Sequence, residues 1–408
     1  MKKITLLTII TALLFVACNE KTSNSFNSGT WKGELAVQDK WAPFLFEVKT
    51  ITADSAVVTL INGSEKVELS GVHILNDSVT IPIVAYDAYI KAELKNGKLN
   101  GKFIKNYIEN DLGVDFRATY NQTDRFPKSP NASDIKIDGK WDVSFINVKN
   151  DTTANVGVFK TDGNIVTGSV LTNYGDLRFL EGKYSEDGVA LSAFGGLSPY
   201  LLELSFSDSD HFTGSFFTTQ GITRLEGTRN DKADLADPYS LTSLKDGYET
   251  LSFSLPNLEG EQVSINDEKY KNKVVIISIL GSWCPNCLDE MEYLSPWYDE
   301  NKNRGIEIVG LAFERKDDFE YAQGTLSRLI DRYSVNYEIL FAGQIGGKSV
   351  EKALPELEKV SSYPTTIFID KKGKVRKIHT GFNGPATGLF YEEFKRDFNA
   401  LIDELVNE

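Results

Sequence analysis

The feature that most constrains this chain is a near-continuous apolar run at residues 273–280 that ends in Gly281-Ser282-Trp283-Cys284-Pro285-Asn286-Cys287. A run of this length, too short for a typical helix, is the signature of a strand buried on both faces. Such a strand needs covering layers on either side. Helical spacing follows at residues 290–301 and again at 391–406, and further buried-strand runs lie at 306–313 and 365–370. Strand and helix alternate in this way from Glu249 onward, which predicts an α/β domain over residues 248–408.

The texture before that point is different. From Gly29 to about Asn230, short alternating segments are separated by turn signals such as Asn62-Gly63-Ser64, Asn76-Asp77-Ser78 and Lys95-Asn96-Gly97, with no helical stretch between them. This spacing predicts antiparallel meanders that close into barrels or sandwiches. The region also repeats itself. Gly29-Thr30-Trp31 matches Gly139-Lys140-Trp141 at an offset of 110, and Leu99-Asn100-Gly101-Lys102-Phe103 matches Phe212-Thr213-Gly214-Ser215-Phe216 at 113. A period this long is a duplicated β domain and not a solenoid repeat. Each half divides into about eight strands. In the second half they are expected to begin near Trp141, Asn155, Ile165, Leu177, Val189, Leu201, Phe212 and Thr223. The Gly-x-Trp opening is similar to that of a lipocalin-type barrel, which can hold a small ligand or fill with its own side chains. The fold class is therefore multidomain: two repeated antiparallel β-barrel-like modules at 29–124 and 139–230, then the α/β domain. Linkers are expected at 19–28, 125–138 and 231–247.

Lys2 and Lys3 precede an apolar run at residues 4–17, too short to span a bilayer but of the right length for an export signal. It ends at Ala17-Cys18 and resembles a bacterial lipoprotein signal peptide, residues 1–18, in which Cys18 carries the lipid. An ordinary signal peptide with an incidental cysteine is the alternative. The net charge of −14 excludes nucleic acid as a partner, because phosphates call for a basic surface.

The chain has three cysteines, so a lipidated Cys18 leaves Cys284 and Cys287 as its thiols. One Cys-x-x-Cys pair in an exported chain of 408 residues is no disulfide scaffold. A cysteine where a helix begins meets free backbone N–H groups and the positive end of the helix dipole, which favour thiolate over thiol. The second cysteine lies one turn along and can resolve a mixed disulfide. These arguments make Cys284 the nucleophile, and the more exposed of the two thiols, with Cys287 the resolving thiol. Trp283 would shield the pair and offer an apolar contact to a partner. A zinc site would need two more ligands, and the histidines, His73, His211 and His379, are unpaired, so neither metal nor cofactor is expected.

The Trp-Cys-x-x-Cys motif after a buried strand, with Tyr363-Pro364-Thr365-Thr366-Ile367-Phe368-Ile369-Asp370 downstream, resembles the thioredoxin-like thiol–disulfide oxidoreductases of the TlpA/ResA group. The resemblance implies a cis bond before Pro364, with the Tyr363 main chain turned toward the cysteines to pair with substrate. It also implies a role for Glu290 in handling the proton of Cys287, because the group carries a Glu three residues after its second cysteine. Thioredoxins proper have a buried Asp where this chain has Ser278. What the resemblance implies overall is a lipid-anchored, periplasm-facing reductase of protein disulfides, recharged by a membrane electron donor of the DsbD type. Cytochrome c biogenesis is a family-level possibility. Asn19, in place of an Asp after the lipid-bearing cysteine, points to the outer membrane. Two other readings stay open: a lipid-tethered binding protein whose β region captures a ligand, and a disulfide oxidase or isomerase.

Overall fold

A computed structural model of the chain describes residues 25–127, 136–186 and 188–408. Cys18 and the rest of the leader lie outside the described residues.

The first β module is a closed barrel of eight antiparallel strands running from Gly29–Val37 to Val114–Tyr120, with the first strand paired to the last. Inward and outward residues alternate, most regularly in Ser55–Asn62, where every second side chain is buried. The Asn96-Gly97 turn has positive φ at both residues, 52° and 69°, the conformation a two-residue hairpin needs to match the strand twist. Trp31, Phe44, Phe46 and Phe103 fill the interior.

The second module repeats the plan from Gly139–Ile146 to Gly221–Arg229, again a ring of eight strands, with a two-residue strand, Gly175–Asp176, added at one edge. The duplication extends to single hydrogen bonds. Trp31 Nε1 donates to the carbonyl of Asn27 at 3.0 Å, and Trp141 Nε1 donates to the carbonyl of Ile137 at 2.8 Å. Each tryptophan thus ties the residue four places before it to its barrel.

Two strand starts differ from the sequence expectation by three residues, and the strand placed near Asn155 begins at Thr152. The strand placed near Leu177 begins at Leu180, because of residues 173–179 only Gly175–Asp176 pair, as the added edge strand. Asp176 Oδ1 accepts the N–H of Arg178 at 2.6 Å, which bends the chain locally, and Arg178 takes φ of 58°.

The barrels are locked together. Phe194 of the second places its ring 4.8 Å from Phe44 and 5.3 Å from Phe103 of the first. Asn62 donates to the Phe194 carbonyl at 3.0 Å and accepts its N–H at 3.1 Å. Arg125 is buried between the modules, donating to the Ser192 carbonyl at 3.1 Å and facing Glu181 at 3.3 Å.

The C-terminal domain has a five-stranded sheet in the order Glu338–Gln344, Ile306–Glu314, Val274–Leu280, Thr365–Ile369, Val375–Thr380. The first three strands are parallel and the last two antiparallel to their neighbours. All seven residues of the central strand are buried. Val274, Ile276 and Leu280 pack in one cluster with helices α1 (Pro285–Asn301), α2 (Phe319–Tyr333) and α4 (Leu389–Asn407). Val275, Ile277 and Ile279 pack in another with α3 (Gly347–Ala353) and the small hairpin of Ser254–Pro256 and Gln262–Ser264. The first barrel reaches this domain through the turn Val84–Tyr86 against α2, and through Tyr107, whose ring lies 3.5 Å from the Arg315 guanidinium. No helix among the described residues is long and apolar enough to cross a membrane.

Candidate active site

The central strand stops at Leu280 and α1 starts at Pro285, so the intervening loop carries Cys284 to the N-cap of the helix. Gly281 is required in this turn: a Cβ there would stand 2.3 Å from Trp283 Nε1 and 2.8 Å from the Phe313 carbonyl. Ser282 is held by Glu314, which accepts its backbone N–H at 2.8 Å and its hydroxyl at 2.6 Å. Pro285 takes the first helical position, where the missing N–H costs nothing.

Cys284 and Cys287 form a disulfide with their Cα atoms 5.2 Å apart. Cys284 Sγ accepts the backbone N–H of Cys287 at 3.2 Å, as an N-cap oxygen would. On its other side it lies 3.3 Å from the carbonyl oxygen of Tyr363, and the Tyr363–Pro364 bond is cis. Two segments 79 residues apart therefore meet at one sulfur. Trp283 is half-buried and committed to the protein: its Nε1 donates to the Phe313 carbonyl at 2.8 Å, and its ring packs edge-on against Tyr363 at 5.2 Å.

Glu290 is 1% exposed. It accepts hydrogen bonds from the hydroxyls of Ser278, at 2.6 Å, and Thr366. Burial pushes its carboxyl up to about 7, against the pull of those two hydroxyls. Ser278 thus stands beside the carboxylate instead of being one. Neither Ser278 nor Thr366 was expected as a partner, since no spacing rule links Glu290 to strands before and after it.

Both cysteines are enclosed, Cys284 at 3% and Cys287 at 1% exposure, so the expected contrast in exposure between them is slight. The second barrel lies against the residues beside them. Gly175 rests on Asn286, Asp176 Oδ2 accepts from Asn286 Nδ2 at 3.3 Å, and Arg178 Nη1 donates to the Pro285 carbonyl at 2.9 Å. Arg178 also pairs with Asp289 of α1 at 2.8 Å and with Glu65 of the first barrel. Burial works against its charge, but Asp289 and Glu65 outweigh that and hold the guanidinium charged. Sequence reasoning missed these residues. The available signal was Asn173, Gly175 and Asp176, three turn-formers within four residues in the middle of a strand pattern.

Residues 247–378 match the AhpC/TSA family. Among curated relatives, the thiol–disulfide oxidoreductase ResA of Halalkalibacterium halodurans is 28% identical over 137 residues, 33% of this chain and 68% of the relative. ResA of Geobacillus thermodenitrificans is 30% identical over 141 residues, 34% of this chain and 72% of the relative. The chain belongs to the ResA-type thiol–disulfide oxidoreductases. A crystal structure of a thiol:disulfide interchange protein of the thioredoxin family from Chlorobium tepidum is similar at 20% identity and a TM-score of 0.30, covering 40% of this chain and 99% of that one. Membership of the ResA type makes the chain an oxidoreductase enzyme acting through thiol–disulfide exchange. Its relatives match about a third of its length, and the two barrels lie ahead of the matched family region.

Proposed function

We propose that this enzyme reduces disulfides of exported polypeptides, with Cys284 as nucleophile, Cys287 as resolving thiol, and Trp283, Tyr363 and Pro364 framing the substrate. The observation that carries the reading is Cys284 Sγ at the N-cap of α1, receiving the Cys287 N–H at 3.2 Å and facing the Tyr363 carbonyl at 3.3 Å. The N–H bond and the helix dipole both favour negative charge on that sulfur.

In the reducing direction, the Cys284 thiolate attacks one substrate sulfur and expels the other as a thiolate. Cys287, deprotonated, then attacks Cys284 Sγ, releases the second substrate thiolate and closes the disulfide. Two electrons pass to the substrate, and an external dithiol donor of the DsbD type returns them. Glu290, one turn from Cys287 on α1, is the proposed acceptor of the resolving thiol's proton, and its raised carboxyl range suits exchange near neutrality. The Pro285-Asn286 dipeptide brings no cationic side chain to the pair, which supports the reductase direction over the oxidase. Residues 1–18 support export and a lipid at Cys18, with the enzyme held at a membrane and facing the periplasm; the β modules then serve as spacer and docking surface, divided as 29–124 and 139–230.

The test is insulin reduction by the full chain with dithiothreitol as electron source, together with a glutathione titration. Turnover that vanishes in Cys284→Ser, and a potential below about −200 mV, are expected; a potential near −120 mV would make the enzyme an oxidase instead.

A further inference from the structure

Another part of the same chain lies against both flanks of the disulfide. On the flank of the Cys-x-x-Cys motif, Gly175 lies so close to Asn286 that a Cβ would fall 2.8 Å from Asn286 Cγ, and Arg178 binds the Pro285 carbonyl at 2.9 Å. On the flank of the cis-proline loop, Ser362 Oγ donates to the Tyr174 carbonyl at 2.7 Å. Gly381, at φ of 80°, leaves room for the Tyr174 backbone, which a Cβ there would meet at 3.2 Å. Asp176 Oδ2 also accepts the Gly384 N–H at 2.9 Å. Main chain of the second barrel therefore lies where the main chain of an extended partner would have to lie to reach Cys284.

The way this segment is held also matters. Its contacts to the redox domain are hydrogen bonds and one ion pair, while Tyr174 itself is 55% exposed. Hydrogen bonds contribute little net stability when an incoming partner can replace them. Only Gly175 and Asp176 of this segment pair with the barrel, opposite Thr172 and Leu171, and so short a pairing belongs to the low-stability end of a structure.

We infer that residues 173–178 are a built-in occupant of the substrate groove and a specificity determinant of the enzyme. A polypeptide with an extended backbone can supply a carbonyl to Ser362 and a small residue against Asn286, and so displaces the segment. A compact small-molecule disulfide supplies neither and is excluded. The inference rests on the thiol-exchange reading above and deepens it by naming the substrate class: disulfides flanked by extended polypeptide with a small residue beside the sulfur.

The experiment uses the full chain with Cys18→Ser, reduced with dithiothreitol, so that Cys284 and Cys287 are its only thiols. Iodoacetamide labelling is followed by mass spectrometry in this parent and in Gly175→Leu and Asp176→Ala. Either variant should label Cys284 about tenfold faster or more, the population change expected from losing one or two hydrogen bonds. The same variants should gain turnover with hydroxyethyl disulfide, narrowing its gap to insulin. Unchanged labelling in variants that keep cooperative unfolding overturns the inference. Should neither variant fold, hydrogen exchange in the parent decides. The Gly384 amide should be protected in the free protein and lose protection when Cys287→Ser traps a polypeptide on Cys284; protection that persists in the trapped complex overturns the inference. Failure of the thiol-exchange reading looks different, as an absence of insulin reduction in parent and variants alike with the labelling ratio intact.

Discussion

The two barrels differ in the connection between their third and fourth strands. In the first, strands Ser55–Asn62 and Glu65–Leu75 are joined by Gly63-Ser64 alone; in the second, the corresponding strands Ile165–Thr172 and Leu180–Ser185 are joined by residues 173–179. The short turn docks on the second barrel, with the Gly63 N–H donated to Glu181 at 2.8 Å. The long one docks on the redox domain. Glu65, just past the short turn, holds Arg178 near the end of the long one. Strands kept their plan because a shift of one residue would turn every core side chain to the wrong face. The connection carried no such constraint, so the duplicated module could acquire a new contact there without losing its core.

This comparison can be broken or sharpened at several points. The largest effect is expected from Cys284→Ser, which should reduce insulin turnover to the uncatalysed background while urea unfolding of the β region is unchanged. Residual turnover would mean that Cys284 is not the sole attacking thiol, since the barrels hold no cysteine. Next come Trp31→Ala and Trp141→Ala, which remove fully buried side chains in equivalent settings and should each cost about 3–5 kcal/mol in urea unfolding. A clear inequality between them would show that the two cores are not equivalent.

Arg178→Met leaves Glu65 and Asp289 without their cation and should cost about 3 kcal/mol, felt at the contact between second barrel and redox domain. Faster hydrogen exchange at Gly384 would locate the loss there; faster exchange in the first barrel alone would contradict the assignment. Glu290 sharpens the contrast from the other side. Buried Arg125 of the β region faces a carboxylate, whereas Glu290 has only hydroxyl donors. Its folded range, raised from 4.5 to about 7, favours the protonated form, so the stability it contributes is complete below pH 4.5 and is lost as pH rises through about 7. Stability should thus fall by about 2 kcal/mol between pH 5 and 8 in the parent and stay flatter in Glu290→Gln, as read by denaturant unfolding at each pH. The smallest effect belongs to Lys102→Ala on the first barrel, which breaks the exposed 2.7 Å pair with Asp115 and should change stability by less than about 0.5 kcal/mol.

Much of this molecule was legible from local pattern. The apolar run before Cys284 announced a two-face-buried strand, the turn signals marked the hairpins, and the matched Gly-x-Trp triplets revealed the duplication. The sulfur pair could be named because a Cys-x-x-Cys pair at a helix start points to its chemistry, whereas the Tyr363-Pro364 loop was named through the resemblance to the TlpA/ResA group. Glu290 was legible only as a candidate, since a carboxylate on a helix is ordinarily solvated. What buries it are Ser278 and Thr366, which belong to two different strands.

Residues 173–178 were not legible as neighbours of the redox motif at all. Periodicity and turn chemistry report on neighbours along the chain, and they fixed the strands, the helix that presents Cys284 and the composition of the redox motif. The approach of Gly175 to Asn286 and the burial of Arg178 among Glu65, Asp289 and Pro285 depend on how three packed units meet. Those contacts join residues more than a hundred positions apart, where no local preference acts, and only the tertiary structure decides them.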